Sequence, residues 1–289
     1  MDHIKKAIER LKETEADSPA QQLHGSLASS SQVKLNGSSQ AAKQAPGSEI
    51  VLNDVELETR RVIAQDVSDA RSRSFDMLRT QILQTMDMNS WQLLGMTSPT
   101  AGCGKTMVSV NLALSIARQP HRSVLLVDLD LQKPQVARTL GIDCEHGVVS
   151  VLEGRSRLSD ALVACRVGPD TLLTLPCEVS TLRSSAWMAS QAMSSLLHQI
   201  KQEFRAYTVI FDLPPVLTAD DVISILPQID CAALVTAAGM TTLADVKECN
   251  KHFQSTSIVR VVFNKAEDIP TNYYLRYGGE PASKLGSVR

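Results

Sequence analysis

Apolar, strand-like runs alternate with helical stretches from about residue 49 onward, and this alternation constrains the fold more than any other feature. The runs read WQLLGMTS, SVLLVDLDL, TLLTLP, YTVIFDLP, CAALVTAA and IVRVVFN. Helical stretches include residues 68–86, 107–118 and 186–204, where apolar side chains recur on one face. Strands that alternate with helices pair in parallel, and the helices cover both faces. The sequence therefore predicts an α/β fold with a mostly parallel sheet between two helical layers, a three-layer αβα sandwich.

The two ends of the chain differ from this block in composition. Residues 1–16 carry apolar side chains at helical spacing and predict an amphipathic helix, either a docking helix for a partner or membrane surface, or a plain terminal helix. Residues 17–48 are rich in Ser, Gln, Ala and Gly and predict a flexible linker, because few large apolar side chains offset the entropy of ordering. We expect one globular domain over 49–266 and a polar, flexible tail over 267–289.

Charge and composition exclude several classes of protein. The 29 basic and 31 acidic residues nearly cancel, so we expect no nucleic-acid partner. No run approaches the ~18 consecutive apolar residues of a membrane-spanning helix, and the first residues lack the apolar core of a signal peptide, which together predict a cytoplasmic protein. The 6 cysteines form no CxxC pair, which argues against a disulfide scaffold or a zinc site.

The segment SPTAGCGKT lies between the first strand-like run and a helix, and its end matches the core of a P-loop. Such a loop points backbone N–H groups inward, and the helix N-terminus adds positive potential, so phosphates bind there. We expect Lys105 to reach the β- and γ-phosphates and Thr106 to bind Mg²⁺. The strict motif has Gly where Pro99 stands, so a chance Gly-Lys-Thr loop is the alternative. The predicted phosphate-binding residues are Ala101, Gly102, Cys103, Gly104, Lys105, Thr106 and Met107.

Polar side chains end three other strand-like runs. Asp128 and Asp130 lie two apart at the end of one run, so both side chains are expected on the same side, facing one metal or an attacking hydroxyl. Asp212 ends the run YTVIFD in the manner of a Walker B carboxylate. Asn264 ends the last run and could present its amide to an adenine edge. The alternatives are a solvated turn for the pair, a turn cap for Asp212 and an ordinary strand end for Asn264.

These motifs together resemble the bacterial tyrosine kinases of polysaccharide synthesis, a family within the MinD/ParA-type P-loop ATPases. The pair Asp128 and Asp130, followed by Lys-Pro, is similar to the additional Walker motif of the kinases. Thr100 stands where ParA-type loops carry a signature Lys. The resemblance extends over most of residues 74–264.

The resemblance implies a P-loop NTPase fold and an ATP- and Mg²⁺-dependent tyrosine autokinase that acts in trans within a ring-like oligomer. It implies that Lys105 and Thr106 bind the phosphates and the metal, that Asp130 and Asp212 hold the metal, and that Asp128 is the base. The predicted autophosphorylation sites are Tyr273, Tyr274 and Tyr277; an ordinary polar terminus is the alternative. The implied partner is an integral membrane chain-length determinant, or polysaccharide co-polymerase, which would place the protein at the inner face of the membrane to regulate exopolysaccharide chain length, polymerisation or export.

The sequence departs from the family's pattern in three ways. Gln132 stands where an Arg is usual. The helix 68–86, the expected oligomer interface, carries Arg73, Asp76 and Arg79 where the family usually shows Glu-x-x-Arg-x-x-Arg. The tail holds fewer tyrosines than is usual. Two alternative functions therefore stay open: a MinD/ParA-like ATPase switch without tyrosine kinase activity, and a nucleotide-binding subunit that has lost its chemistry.

Overall fold

The computed structural model of the chain describes residues 46–66, 68–218, 220–253 and 256–266. The predicted N-terminal helix, most of the predicted linker and the tyrosine-containing tail lie outside the described residues. None of the helices within the described ranges is long and apolar enough to cross a membrane.

An 8-stranded sheet forms the centre of the described chain, with the strand order β1-β4-β5-β3-β6-β2-β7-β8. Its strands are β1 (Ser48–Val51), β2 (Leu93–Thr97), β3 (Ser123–Asp128), β4 (Val163–Val167), β5 (Asp170–Leu175), β6 (Tyr207–Asp212), β7 (Cys231–Ala237) and β8 (Ser257–Asn264). Neighbouring strands pair in parallel, except that β4 and β5 form an antiparallel hairpin. The prediction of a mostly parallel α/β sheet is confirmed.

Helices cover both faces of this sheet. They are α1 (Asp54–Thr59), α2 (Ser72–Met88), α3 (Lys105–Ala117), α4 (Val136–Leu140), α5 (Val148–Leu152), α6 (Leu158–Ala161), α7 (Ser184–Met188), α8 (Gln191–Glu203), α9 (Asp221–Ile225) and α10 (Leu243–His252). One apolar cluster joins α2 and α3 to one sheet face through side chains such as Ile82 and Leu112. The other joins α8 and α9 to the opposite face through Ile200 and Ile225. The central strands are buried on both faces, which is why they are continuous apolar runs in the sequence.

The structure differs from the sequence-based prediction at two places in the sheet. β1 begins at Ser48, the last residue assigned to the linker, and pairs with β4 from Ser48 and Val163 onward. β1 is an edge strand that is mostly exposed, so it lacks the apolar run by which buried strands are recognised. β4 escaped prediction because it is short and forms a tight hairpin with the predicted β5 run.

The helix predicted over residues 186–204 is two helices. Ser190 separates α7 from α8, and its hydroxyl accepts a hydrogen bond from the Met193 backbone N–H at 3.1 Å. A serine in this position caps a new helix start rather than continuing an old one. The break lets α7 turn toward the carboxyl edge of the sheet, where it contacts α9.

Candidate active site

The predicted motifs meet because their strands are neighbours in the sheet. The order β3-β6-β2 places the ends of three parallel strands side by side. Asp128 at the end of β3 lies directly opposite Asp212 at the end of β6 in the strand register. The glycine-rich loop follows β2 and leads into α3. The carboxyl ends of parallel strands are the usual place for a ligand site in an open α/β sheet.

The glycine-rich loop depends on two glycines. Gly102 and Gly104 have φ angles of 86° and 91°, in the left-handed region of backbone conformation that residues with a side chain rarely adopt. A Cβ atom at Gly104 would collide with the Asn264 amide nitrogen. That nitrogen donates a hydrogen bond to the Cys103 carbonyl at 2.9 Å, so Asn264 holds the loop. An adenine contact by Asn264 stays a prediction.

Cys103 contributes to the loop with its backbone rather than its side chain. Its buried Sγ lies 3.7 Å from the Thr100 Oγ1 and 3.6 Å from the Thr241 Oγ1. The thiol therefore packs beneath the loop, and only the backbone of Cys103 is left to contact a phosphate.

Lys105 lies between two carboxylates at the start of α3. Its Nζ is 2.9 Å from the Asp130 Oδ2 and 3.3 Å from the Asp212 Oδ2. The Thr106 hydroxyl donates to Asp212 at 2.6 Å, and the Ser109 hydroxyl contacts the other Asp212 oxygen at 2.9 Å. Asp212 is fully buried, so these contacts supply its stabilisation. Ser109 was not predicted, although it lies one helical turn after Lys105 and thus on the same face of α3.

The charges of this cluster shift the pKa values of two groups. Burial lowers the pKa of Lys105, but the carboxylates of Asp212 and Asp130 outweigh it and raise the pKa above its usual range, so the lysine stays charged. Burial, followed by the charge of Asp212, raises the pKa of Asp128 to about 8. The backbone N–H of Val136 opposes this shift without cancelling it.

Asp128 and Asp130 do not share one direction. Asp128 accepts hydrogen bonds from the backbone N–H groups of Asp130, Gln135 and Val136 at 3.2, 3.0 and 2.9 Å. Its carboxylate thus holds the loop that follows β3, whereas Asp130 reaches Lys105. The two carboxylates thus have different partners, and the metal-binding role of Asp130 and the role of Asp128 as base stay predictions. The strand ends at Asp128, so strand alternation no longer governs the direction of Asp130.

A cavity of about 570 Å³ opens in front of the cluster. This volume suits a small-molecule ligand. The predicted residues that line it are Ala101, Gly102, Gly104, Lys105, Thr106, Met107 and Asp130. The other lining residues are Gln132, Lys133, Gln135, Thr139, Pro214, Pro215 and Thr218. Most of this second group lies in the loops after β3 and β6, which carry no recognisable phosphate-binding pattern and enter the site only through folding.

The oxygen atoms of Thr106, Asp130 and Asp212 fit a magnesium ion. Carboxylate and hydroxyl oxygens are the ligands that Mg²⁺ prefers, and Mg²⁺ usually binds through one or two carboxylates together with substrate phosphates and water. In the described part of the chain, no group of three or more His, Cys, Asp or Glu side chains could hold a metal by itself. The donor set therefore fits an ion that arrives with a nucleotide.

The helix expected to form an oligomer interface uses two of its three noted charges within the chain. Asp76 pairs with Arg79 at 2.9 Å and with Arg118, which directly follows α3, at 3.4 Å. Arg79 also donates to the Ser115 carbonyl at 2.9 Å, whereas Arg73 is exposed. Asp76 and Arg79 thus join α2 to the helix that carries the P-loop lysine. Arg73 is the exposed one of the three noted charges.

Comparison with known proteins bears on the identity of this site. Residues 91–267 match the ParA family, described as the NUBPL iron-transfer P-loop NTPase. Tyrosine-protein kinase YwqD of Bacillus subtilis is 31% identical over 187 residues, which make up 63% of this chain and 75% of YwqD. EpsB of Ralstonia nicotianae, named as a putative tyrosine-protein kinase, is 31% identical over 231 residues, which make up 79% of this chain. The chain spans only 29% of the length of EpsB.

Solved structures agree with these sequence matches. The kinase domain of VpsO is 27% identical, with a TM-score of 0.61, and the match covers 74% of this chain and 100% of that domain. The kinase domain of the Escherichia coli tyrosine kinase ETK is 22% identical, with a TM-score of 0.66 over 78% of this chain and 91% of that domain, and it shows the shared fold alone. The chain therefore belongs to the bacterial tyrosine kinase family, within the ParA-type P-loop NTPases.

Proposed function

We propose that the protein is an ATP-dependent tyrosine autokinase that transfers the γ-phosphoryl group to Tyr273, Tyr274 and Tyr277 of another copy. One observation carries this proposal: Lys105 bridges Asp130 and Asp212 at the end of a P-loop, beside a cavity of about 570 Å³. Asp130 is a carboxylate additional to the Walker B position of Asp212. A second carboxylate that meets the P-loop lysine suits transfer to an incoming hydroxyl as well as nucleotide binding.

The chain's own residues divide the work of phosphoryl transfer. The loop N–H groups and Lys105 bind and orient the phosphates. Thr106, Asp130 and Asp212 would hold Mg²⁺, which when bound neutralises charge on the phosphates. The phenolic oxygen bonds to the γ-phosphorus while the bond from that phosphorus to the ADP oxygen breaks. Asp128 takes the phenolic proton when it is ionised; its raised pKa of about 8 makes the ionised form a stronger base than an ordinary carboxylate, and closer to the phenol's ~10.

We further propose the surroundings of this reaction from the resemblance to the kinases of polysaccharide synthesis. The protein would act at the inner face of the membrane through an integral membrane chain-length determinant. It would form a homo-oligomer through the α2 region, and tail phosphorylation would add negative charge that loosens this oligomer by repulsion. The output would be control of exopolysaccharide chain length, polymerisation or export.

The test is phosphorylation mapping by mass spectrometry. The purified protein is incubated with ATP and Mg²⁺, with and without the cytoplasmic segments of a candidate membrane partner. We expect modification at Tyr273, Tyr274 or Tyr277, and none in the Lys105→Met variant. A triple tyrosine-to-phenylalanine variant is the matched control, because it should still bind nucleotide. Tyrosines that stay unmodified under both conditions would contradict the kinase assignment.

The second candidate function is a ParA-like ATPase switch, in which water is the only acceptor. The match of residues 91–267 to the ParA family favours it. This function predicts ATP hydrolysis and nucleotide-dependent association without tyrosine modification. The same mass spectra, combined with a phosphate-release assay, separate the two functions.

A further inference from the structure

Gln132 lies at the tip of the loop after β3 and lines the cavity two residues beyond Asp130. Its side-chain nitrogen Nε2 donates to the Asp221 Oδ2 at 3.2 Å. Its side-chain oxygen accepts no hydrogen bond from the described residues. The two residues are 89 positions apart, so only the fold brings them together.

Asp221 determines which way this amide points. The carboxylate is 1% exposed and also accepts hydrogen bonds from the hydroxyls of Ser184 and Ser185 at the start of α7. No lysine or arginine of the described chain pairs with it, so neutral donors alone stabilise it. An ionised carboxylate only accepts hydrogen bonds. It therefore binds the NH₂ end of Gln132 and turns the amide oxygen away from itself.

A second link fixes the loop that carries Gln132. The Thr181 backbone N–H donates to the Leu131 carbonyl at 2.8 Å, and Leu131 is fully buried. The segment before α7 thus holds the β3 loop on one side of Gln132, and Asp221 holds the side chain itself. The amide oxygen is left as a positioned acceptor at the cavity wall.

We infer that Gln132 binds the acceptor tyrosine as it enters the cavity, with its amide oxygen accepting a hydrogen bond from the phenolic O–H before that proton passes to Asp128, and that Asp221 is the positioning residue. This inference rests on the proposed kinase function. Phosphate oxygens only accept hydrogen bonds, so an amide oxygen at the wall repels them and suits a group that brings its own proton. The cavity then has two ends: donors and charge at Lys105 for the nucleotide, and a neutral acceptor at Gln132 for the tyrosine.

The test uses the whole 289-residue chain with a peptide of residues 270–280 as the added acceptor. Gln132→Leu removes the amide oxygen together with the donor to Asp221. This variant should lower kcat/KM for the peptide by about tenfold, the size of one hydrogen bond, while the nucleotide Kd stays unchanged. The matched control is Gln202→Leu, an exposed glutamine at the end of α8 and thus at the opposite edge of the sheet.

A rescue experiment tests the orientation directly. Gln132→Glu places two carboxylates together and should lower kcat/KM by repulsion. Adding Asp221→Asn provides a donor for one oxygen of the introduced carboxylate and leaves the other oxygen facing the cavity, so the double variant should recover the rate for the peptide. A purely structural role for Gln132 would also predict recovery, but it predicts in addition that Gln132→Glu slows ATP hydrolysis without the peptide as much as it slows phosphorylation of the peptide, whereas tyrosine binding confines the loss to the peptide.

Three results would overturn the inference. The first is an unchanged kcat/KM for the peptide in Gln132→Leu. The second is a higher Mg²⁺ or ATP requirement in Gln132→Leu with an unchanged peptide KM, which would assign the amide oxygen to a metal-bound water. The third is the absence of recovery in the double variant. If the wild-type protein modifies no tyrosine, the proposed kinase function itself fails. The inference about Gln132 fails separately, when the wild-type protein modifies tyrosine and the variants do not behave as expected.

Discussion

A buried aspartate lies behind each end of the cavity, Asp212 behind Lys105 and Asp221 behind Gln132, and the two aspartates have different partners. Asp212 is 0% exposed and meets the Lys105 ammonium, whereas Asp221 is 1% exposed and meets only neutral donors in the described chain. The first arrangement keeps a positive charge in place where phosphates would bind. The second orients an amide without adding charge to the cavity. A buried carboxylate can thus hold a positive charge in place or orient a neutral amide, depending on its partners.

The largest expected effect comes from replacing by asparagine the buried aspartate at each end of the cavity. Asp212→Asn removes a charge that holds Lys105 and Thr106, so we expect phosphoryl transfer to fall by about a hundredfold or more. Asp221→Asn leaves the charges around Lys105 unchanged, so we expect a smaller loss that is confined to the tyrosine peptide. Steady-state kinetics with ATP and with the peptide varied separately measure both losses.

The thermal unfolding midpoint of both variants serves as the control for folding. Equal losses with ATP and with the peptide in both variants would show that the two ends are not separate. The cavity would then act as one continuous site, in which nucleotide and tyrosine depend on the same residues.

An effect of intermediate size on nucleotide binding is expected from a substitution in the glycine-rich loop after β2. Gly104→Ala puts a side chain at a φ of 91° and against the Asn264 amide nitrogen, so we expect the nucleotide Kd to rise by about tenfold. In Gly104→Ala combined with Asn264→Ala the close contact is gone but the backbone strain is not. Fluorescence titration with a labelled ATP analogue measures the Kd. An unchanged Kd in the single variant would show that the phosphate end does not need this loop conformation.

The smallest expected effect concerns Asp128, which begins the loop that connects the two ends. Its folded pKa of about 8 exceeds its ordinary value of 3.8, so the folded protein binds the proton more tightly than the unfolded chain. The stabilisation is complete below pH 3.8 and is lost as the pH rises through 8. The side chain introduced by Asp128→Asn does not titrate, so the melting temperature of this variant should gain roughly a few degrees relative to wild type between pH 5 and pH 9.

Differential scanning fluorimetry of the nucleotide-free proteins across this pH range measures the change. The part of the difference in melting temperature that does not change with pH reports the hydrogen bonds to the loop N–H groups that the Asp128→Asn variant loses. Only the change of this difference with pH tests the pKa of Asp128. A difference that is independent of pH would show that Asp128 is ionised in the folded protein throughout the range.

The sequence by itself determined the class of fold and three residues that meet at one end of the cavity. Buried parallel strands must be apolar throughout, so the alternation with helices was visible, and Lys105, Thr106 and Asp212 follow or end such strands at positions that local spacing reveals. Neighbouring strands then had to bring these residues together. The short exposed strand β1 and the break at Ser190 were missed because edge strands and helix caps leave little periodic signal.

Only the tertiary structure decided the contacts that join distant loops. The pairing of Gln132 with Asp221, the contact of Ser109 with Asp212 and the use of Asp76 by Arg118 all depend on strand order, register and helix packing. No local pattern encodes them, because each side chain alone is compatible with many surroundings. Asp128 shows the same limit: its spacing predicted a partner for Asp130, but the chain leaves the strand at that point, and the loop N–H groups capture its carboxylate.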